Sequence, residues 1–596
     1  MRRAATVLLR TSARRVLSKA GRVRTTTSNG ANIVSKQQDQ AKQFQEILKY
    51  GQALPSSMYV RSFSIALVSS LVASGAYFAY NGESQSGDVN LGNSPVTGGV
   101  QQTRGYASEH GLPSGGLATP QPAERKALVV DNYSLYTGTI SGTEPLSKTT
   151  DDQGRKVLEM MTPEQAVQRI RRNEESYWVG RGKGVVRYDV VQLASNDPIE
   201  DDHAEKIIEA PTNAVAGASS SDWMFWGVFD GHSGWTTSAK LRQALISYVA
   251  RELNATYTSS QTPQPTPPSP SSIDAAIKRG FLALDKSIVQ DSVAEAFQKK
   301  TKAQAASLLA PALSGSCALL SFYDSASKTL RVACTGDSRA ILGRRDSGNT
   351  SKWTAHPLSV DQTGGNEDEA ARLRAEHPGE PDVVSRGRVL GGLEPSRAFG
   401  DASYKWSREV QNKIKREYFG RTTSPNIKTP PYVTAEPVVT TTQVQPEKGD
   451  FVVMATDGLW EMLTNEEVVG LVGSWLEKHP EAQMGGSTSV KVPQSQADGW
   501  LSSWFSSGSG NKNELPVAPQ ANDAHSAGGQ RAPIRQQQWG LESSSYDKSG
   551  VPSSSRFVVE DKNAATHLIR NALGGANTDM ICALLTLPSP YSRRYR

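Results

Sequence analysis

The 596-residue sequence predicts an α+β fold in which sheets pack against one another and are covered by helices. Three observations carry this expectation. Short apolar runs of β type recur along the chain: "VVRYDVVQLA", "MFWGVFD", "CALLSFYD", "LRVACTGD", "PYVTAEPVV" and "DFVVMATDG". Several are near-continuous apolar blocks, as expected of strands buried on both faces. Segments with helical patterning, such as "SIDAAIKRGFLALDKSI" and "NEDEAARLRAEHP", alternate with some of them. A composition of 37% hydrophobic and 21% charged residues supports a large core, while 51 Gly and 32 Pro demand much irregular chain.

In chain order, residues 1–36 carry nine Lys or Arg and no acid, the first carboxylate being Asp39. Helical spacing gathers Val7, Leu8 and Leu17 on one side and most arginines on another. That is the pattern of a mitochondrial transit peptide, as against a merely basic disordered tail. Taking those nine charges from the net +6 leaves −3 for the rest. The basic balance therefore belongs to the tail, and no nucleic-acid partner is expected. Ser62–Tyr80 holds nineteen uncharged residues between Arg61 and Glu83, long enough for a single transmembrane helix. Its five serines also allow a buried globular helix. Residues 81–125 are rich in Gly, Ser and Gln and read as a flexible linker.

Residues 126–184 are expected to be a helical lead-in, because "MTPEQ" offers Thr162 as N-cap, Pro163 at the first position and Gln165 to close a capping box. The main domain is expected over 185–596. Two low-complexity insertions interrupt it: the proline-rich loop at 259–272 and the Gly/Ser/Gln-rich segment at 484–554. The three cysteines, Cys317, Cys334 and Cys582, fit neither a disulfide framework nor a zinc spacing.

Three β runs share an ending. Each closes on an aspartate with a small neighbour: Asp230 in "VFDGHSG", Asp337 in "CTGDSRA" and Asp457 in "MATDGLWE". A single Asp-Gly after a strand is a turn. Three such endings, with Glu200, Asp201 and Asp202 in "PIEDDH", raise a second reading. Carboxylates meeting at one end of a sheet repel unless a cation neutralises them, and an oxygen-only donor set suits Mg²⁺ or Mn²⁺ rather than zinc.

The ordered series "PIEDDH", "FWGVFDGHSG", "SGSCALLSFYD", "VACTGDSRAILGR", "LSVDQTGGNEDEAARL", "VLGGLEPSRAFGD", "PYVTAEPVV" and "VMATDGLWEML" resembles the metal-dependent protein phosphatase 2C family, from about Val185 to the end. "SNDPIED", "TPPYVTAEP" and "ATDGLWE" resemble its mitochondrial pyruvate dehydrogenase phosphatase branch. The wider family has a phosphate-binding arginine four residues before its metal-binding glutamate. Asn196 stands there in this sequence, as in that branch.

The resemblance implies a β-sandwich of two antiparallel sheets flanked by helices. It implies two Mg²⁺ or Mn²⁺ ions held by Glu200, Asp230, the carbonyl of Gly231 and Asp457, with a weaker third ion at Asp337. Water activated between the ions would attack phosphorus in line with the serine oxygen, with no phospho-enzyme. His232 would protonate the leaving alkoxide as general acid; outside this setting a lone histidine reads as structural. Asp401 is expected to fix a loop or waters, and Glu461 to be no firm ligand.

One departure stands out. "NTDMICALLTLPSPYSRRYR" resembles the stretch just before the family's closing strand and last metal-binding aspartate, and both are missing. Asp579 offers a weak substitute, since "MICALL" can be strand or helix by periodicity. The implied function is a metal-dependent serine/threonine phosphatase acting on a phosphoprotein, with the pyruvate dehydrogenase complex as substrate. A catalytically weak phosphatase-fold binding module on the inner mitochondrial membrane is the alternative. Location in the matrix or the intermembrane space stays open.

Overall fold

In this computed structural model the chain divides into two units, Met1–Gly115 and Gly116–Arg596. The structure describes residues 125–595 of the second, except 132–133, 141–145, 147–148, 152, 211–220, 260–266, 299, 348–351 and 484–555. The expected transit peptide, the Ser62–Tyr80 span and the whole of the 484–554 insertion lie outside the described residues. Among the described residues, no helix is long and apolar enough to cross a membrane.

The described chain opens with an antiparallel sheet, not with helix. Strands β1 (Arg125–Asp131), β2 (Ser134–Ile140) and β3 (Lys156–Glu159) pair in the order β2-β1-β3. The expectation of a helical lead-in over 126–184 is thereby corrected. Leu128, Val130 and Leu135 anchor the sheet in the core, and β-branched residues suit its pleated surface. One helix does form where the capping box lies. In α1 (Pro163–Arg171), Gln165 N–H donates to Thr162 Oγ1 at 3.3 Å, and Thr162 N–H donates back to Gln165 Oε1 at 2.9 Å. A short ribbon follows, β4 (Glu175–Trp178) with β5 (Arg187–Val190).

The main body then builds from β6 (Asp202–Glu209), β7 (Asp222–Phe229), β8 (Gly231–His232), α2 (Thr236–Ser259), α3 (Pro270–Lys286) and α4 (Lys302–Leu313). Here the proline-rich loop ends three residues earlier than expected. Ser269 caps α3 and Pro270 takes the first helical position, where its missing N–H costs nothing. Next come β9 (Gly315–Ser316), β10 (Ala318–Asp324), β11 (Thr329–Thr335), β12 (Arg339–Arg345), β13 (Trp353–Pro357), α5 (Glu367–Glu376), β14 (Val384–Ser385), β15 (Arg388–Val389) and β16 (Phe399–Gly400). The last stretch holds β17 (Val438–Gln443), β18 (Phe451–Ala455), α6 (Asp457–Trp460), α7 (Asn465–Lys478), α8 (Ala564–Leu573) and α9 (Thr578–Thr586). "PYVTAEPVV" contributes only its last residues to a strand; Thr434 makes an isolated bridge to Arg397.

Two antiparallel sheets dominate: a five-stranded one in the order β17-β11-β10-β7-β6 and a three-stranded one in the order β13-β12-β18. Alternation along the buried strands sorts their side chains into two cores. Trp223, Phe225, Leu320 and Phe322 face helices α2, α3 and α4, meeting Leu245, Val249, Ile277 and Phe281. The intervening Met224, Leu319, Tyr323 and Val332 face Ala340 and Leu342 of β12. On its other side the three-stranded sheet offers Ile341 and Trp353 to α7, α8 and α9. Each fully buried aromatic or leucine removes enough apolar surface to contribute roughly 1.5–3 kcal/mol. Among the described residues β18 is an edge strand, and a cavity of about 1200 Å³ borders it, lined by Trp226, Leu342, Val453 and Leu568 among others. "MICALL" is helix α9, N-capped by Asn577. Its Asp579 pairs with Lys126 at 2.7 Å, so it serves the N-terminal sheet.

Candidate functional site

Strand direction explains why distant carboxylates meet. β7 and β11 both run antiparallel to β10, so they end on the same side. Asp230 follows β7 there, and Asp337 lies in the turn that carries the chain from β11 into β12. β18 runs antiparallel to β12, with Ala455 opposite Arg339, so Asp457 arrives at that same end. β6 is antiparallel to β7, with Asp202 opposite Phe229, which brings Glu200 and Asp201 alongside. Glu200, Asp230, Gly231, His232, Asp337 and Asp457 all line the cavity of about 1200 Å³ beside β18.

The turn after β7 has no spare room. A Cβ on Gly231 would lie 2.1 Å from the Glu200 carbonyl oxygen, so the close approach of these two segments requires glycine. Glu200 is held from two sides: Gly234 N–H donates to Oε1 at 2.7 Å and Asn196 Nδ2 to Oε2 at 2.5 Å. Asn196 therefore orients the glutamate. Arg388 of β15 is a cation on the wall of the same cavity, paired with Glu394 at 2.5 Å.

Burial sets the electrostatics. It pushes the Asp230 carboxyl well above the usual carboxylate range, reinforced by the charges of Asp457, Asp201 and Asp337. Asp457 is pushed well up by burial and then by Asp337, Glu461 and Asp201. Burial raises Asp337 against the hydrogen bond from the Cys317 thiol. It takes Asp201 up to about 6, although Gly231 N–H and Thr456 donate to that carboxylate. Uncompensated buried charges cost several kcal/mol each, so such a cluster is stable only when protonated or when cations share it. The donors are hard oxygens, which fits Mg²⁺ or Mn²⁺. Among the described residues no three Asp, Glu, His or Cys side chains already close on a point that could hold an ion. The acids ring the end of the two sheets instead.

A miniature sheet positions His232. β8 pairs with β9, and β9 with β16, so the residue after β16, Asp401, comes beside the ring. His232 Nε2 lies 2.7 Å from Asp401 Oδ2. Burial acts to lower the imidazole pKa, but the Asp401 carboxylate, by charge and hydrogen bond, brings it above its ordinary value. A small core of Leu373, Val383, Val389 and Tyr432 carries the 361–435 segment beside the site. Glu369 ties it down by accepting from Arg397, Arg372 and Ser396. Burial would raise that carboxyl, yet these donors hold it at about 2.

Residues 195–491 match the protein phosphatase 2C family. The chain is 41% identical over 474 residues to mitochondrial pyruvate dehydrogenase (acetyl-transferring) phosphatase 1 of Saccharomyces cerevisiae, covering 78% of this chain and 76% of that one. A protein phosphatase 2C homolog of Schizosaccharomyces pombe is 44% identical over 414 residues, 69% of this chain and 78% of the other. The chain belongs to the protein phosphatase 2C family.

Human mitochondrial pyruvate dehydrogenase (acetyl-transferring) phosphatase 2 is 29% identical over 469 residues, 69% of this chain and 76% of that one. As a protein phosphatase 2C the chain is an enzyme of phosphate-ester hydrolysis, in a family that is in general Mg²⁺- or Mn²⁺-dependent. One contributor to the site's electrostatics escaped sequence reasoning. Glu394, in "GLEPSRAF", adds charge felt by Asp337 and Asp457. Asp401, expected to fix a loop or metal-bound waters, also meets His232 across 169 residues, a separation no local pattern reports.

Proposed function

We propose that this protein phosphatase 2C hydrolyses phosphoserine on a mitochondrial phosphoprotein, the pyruvate dehydrogenase complex. The observation that carries the chemistry is the ring of buried, mutually destabilised carboxylates beside an imidazole held by Asp401. Asp230, Glu200, Asp457 and the Gly231 carbonyl would hold two divalent ions, and Asp337 a weaker third. When bound, the ions supply Lewis acidity for a water and neutralise the phosphate. The protein's own residues do the rest. Asn196 and Gly234 N–H keep Glu200 oriented. His232 delivers a proton to the departing serine oxygen, which is too basic to leave unprotonated.

The substrate assignment rests on likeness to relatives named for pyruvate dehydrogenase, and the compartment on their names and the acid-free tail. The tail would direct import, and Ser62–Tyr80 would tether the enzyme to the inner membrane. The decisive assay is phosphate release by purified protein with Mn²⁺, from a phosphoserine peptide and from phosphorylated pyruvate dehydrogenase. Metal-dependent turnover of both is expected. A folded protein that binds Mn²⁺ yet releases no phosphate would establish the binding-module alternative.

A further inference from the structure

We propose that Asp401 is the positioning residue for His232 and that the buried Asp285–Lys405 pair holds Asp401 in place for that task. The inference rests on reading His232 as proton donor. The contact uses Nε2, leaving Nδ1 as the ring nitrogen able to face substrate. Backbone seals the pair: a Cβ on Gly315 would lie 2.1 Å from His232 Nε2 and 2.3 Å from Asp401 Oδ2. Gly315 of β9 thus lets the backbone pack directly against the paired atoms, where any side chain would collide with both.

Asp401 holds this position against its own preference. Its φ of 46° is left-handed, a conformation that costs an ordinary residue on the order of 1 kcal/mol or more. Tethers hold the turn. Asp401 N–H donates to the Ser314 carbonyl at 2.9 Å, and Gly400 N–H donates to Asp285 Oδ1 at 3.0 Å. Lys405 Nζ donates to both Asp285 oxygens, at 2.8 and 2.7 Å, and to the Ala398 carbonyl at 2.8 Å. The Lys405 side chain is only 3% exposed. Buried ion pairs add little net stability compared with apolar packing, and their best-attested use is to specify one conformation. This pair brackets the turn that carries Asp401.

The step balances simply. As water's oxygen bonds to phosphorus, the phosphorus–serine oxygen bond breaks, and the Nδ1 proton passes to that oxygen. Serine hydroxyl and inorganic phosphate result, and the proton lost by water restores the imidazolium. Throughout, Nε2 keeps its proton and donates it to the Asp401 carboxylate, which keeps Nδ1 aimed at the leaving group.

Leaving-group dependence tests this. p-Nitrophenolate departs without a proton, whereas a serine alkoxide does not. Asp401→Asn, Lys405→Met and His232→Ala are compared on a phosphoserine peptide and on p-nitrophenyl phosphate with Mn²⁺. Thermal unfolding and Mn²⁺ binding by calorimetry accompany each variant. All three should lose about 10²-fold in kcat on the phosphopeptide and less than about 10-fold on the nitrophenyl ester. Equal losses on both substrates for His232→Ala would overturn the proton-donor reading itself. A selective loss for His232→Ala with none for Asp401→Asn would overturn the positioning role alone. A folded Lys405→Met without selective loss would remove the clamp. Should Lys405→Met fail to fold, near-isosteric Asp401→Asn still decides the role of Asp401.

Discussion

Single residues in the site work under opposed demands. Gly231 is there for its missing side chain, and Gly231→Ala should cost Mn²⁺-dependent turnover at least about 10²-fold, because a Cβ would push Glu200 away from Asp230. Steady-state kinetics check this; near-normal turnover would show that the two segments can separate freely. Asp457 illustrates function set against stability. Its charge is disfavoured by burial and by four acidic neighbours, so Asp457→Asn should stabilise the metal-free protein by about 1–2 kcal/mol. The same change should shrink the stabilisation that Mn²⁺ confers. Chemical denaturation with and without Mn²⁺ reads both effects, and a lower metal-free midpoint would contradict the argument. The acids and His232 were legible as residue types in the sequence. Their strained pKa values were not, since burial depends on packing from several elements.

Individual elements were legible where their signals are local. The capping box of α1 and the apolar runs of β7, β10, β11 and β18 depend on neighbours in sequence, and these elements formed where the patterns lie. The lead-in failed as helix because one strong cap signal was extended over residues whose buried Leu128, Val130 and Leu135 serve a sheet. "MICALL" could be decided only by its packing against α1 and the rest of that core. Helix α8 carries a testable pH effect. His567 is buried, with Nε2 3.0 Å from the Leu471 carbonyl and Nδ1 3.1 Å from Asn571 Nδ2. A ring that donates at Nε2 and accepts at Nδ1 is neutral. Burial lowers its pKa to about 4 from the 6.5 of an exposed ring. Above 6.5 neither folded nor unfolded ring is charged, and this site leaves stability unchanged. As pH falls, the unfolded chain takes up the proton first, so stability drops between about 6.5 and 4, by roughly 3 kcal/mol in all. Urea unfolding of wild type and His567→Gln across that range should converge toward acid pH; parallel curves would refute the assignment.

At the scale of the molecule, distant parts of the chain close one body. Arg169 donates to the Leu585 carbonyl at 2.8 Å, and Arg171 meets Asp561 at 2.7 Å. Both flanks of the 484–554 insertion rest on α7: Lys478 donates to the Val559 carbonyl at 3.0 Å, and Arg556 pairs with Glu467 at 2.5 Å. Replacing 486–553 by a short Gly/Ser linker should therefore change the unfolding midpoint by less than about 1 kcal/mol and leave kcat intact. A protein that no longer folds would show that the insertion contributes to the core. Alone, the sequence determined the α+β class, the strand-end aspartates, the histidine beside them and the phosphatase family they resemble, because these are patterns of adjacent residues. Only the tertiary structure decided that four strand ends share one side, that Asn196 serves Glu200, and that Asp401 belongs to His232. Those contacts depend on strand direction and packing between residues far apart in the chain, and neither is written in any short stretch of it.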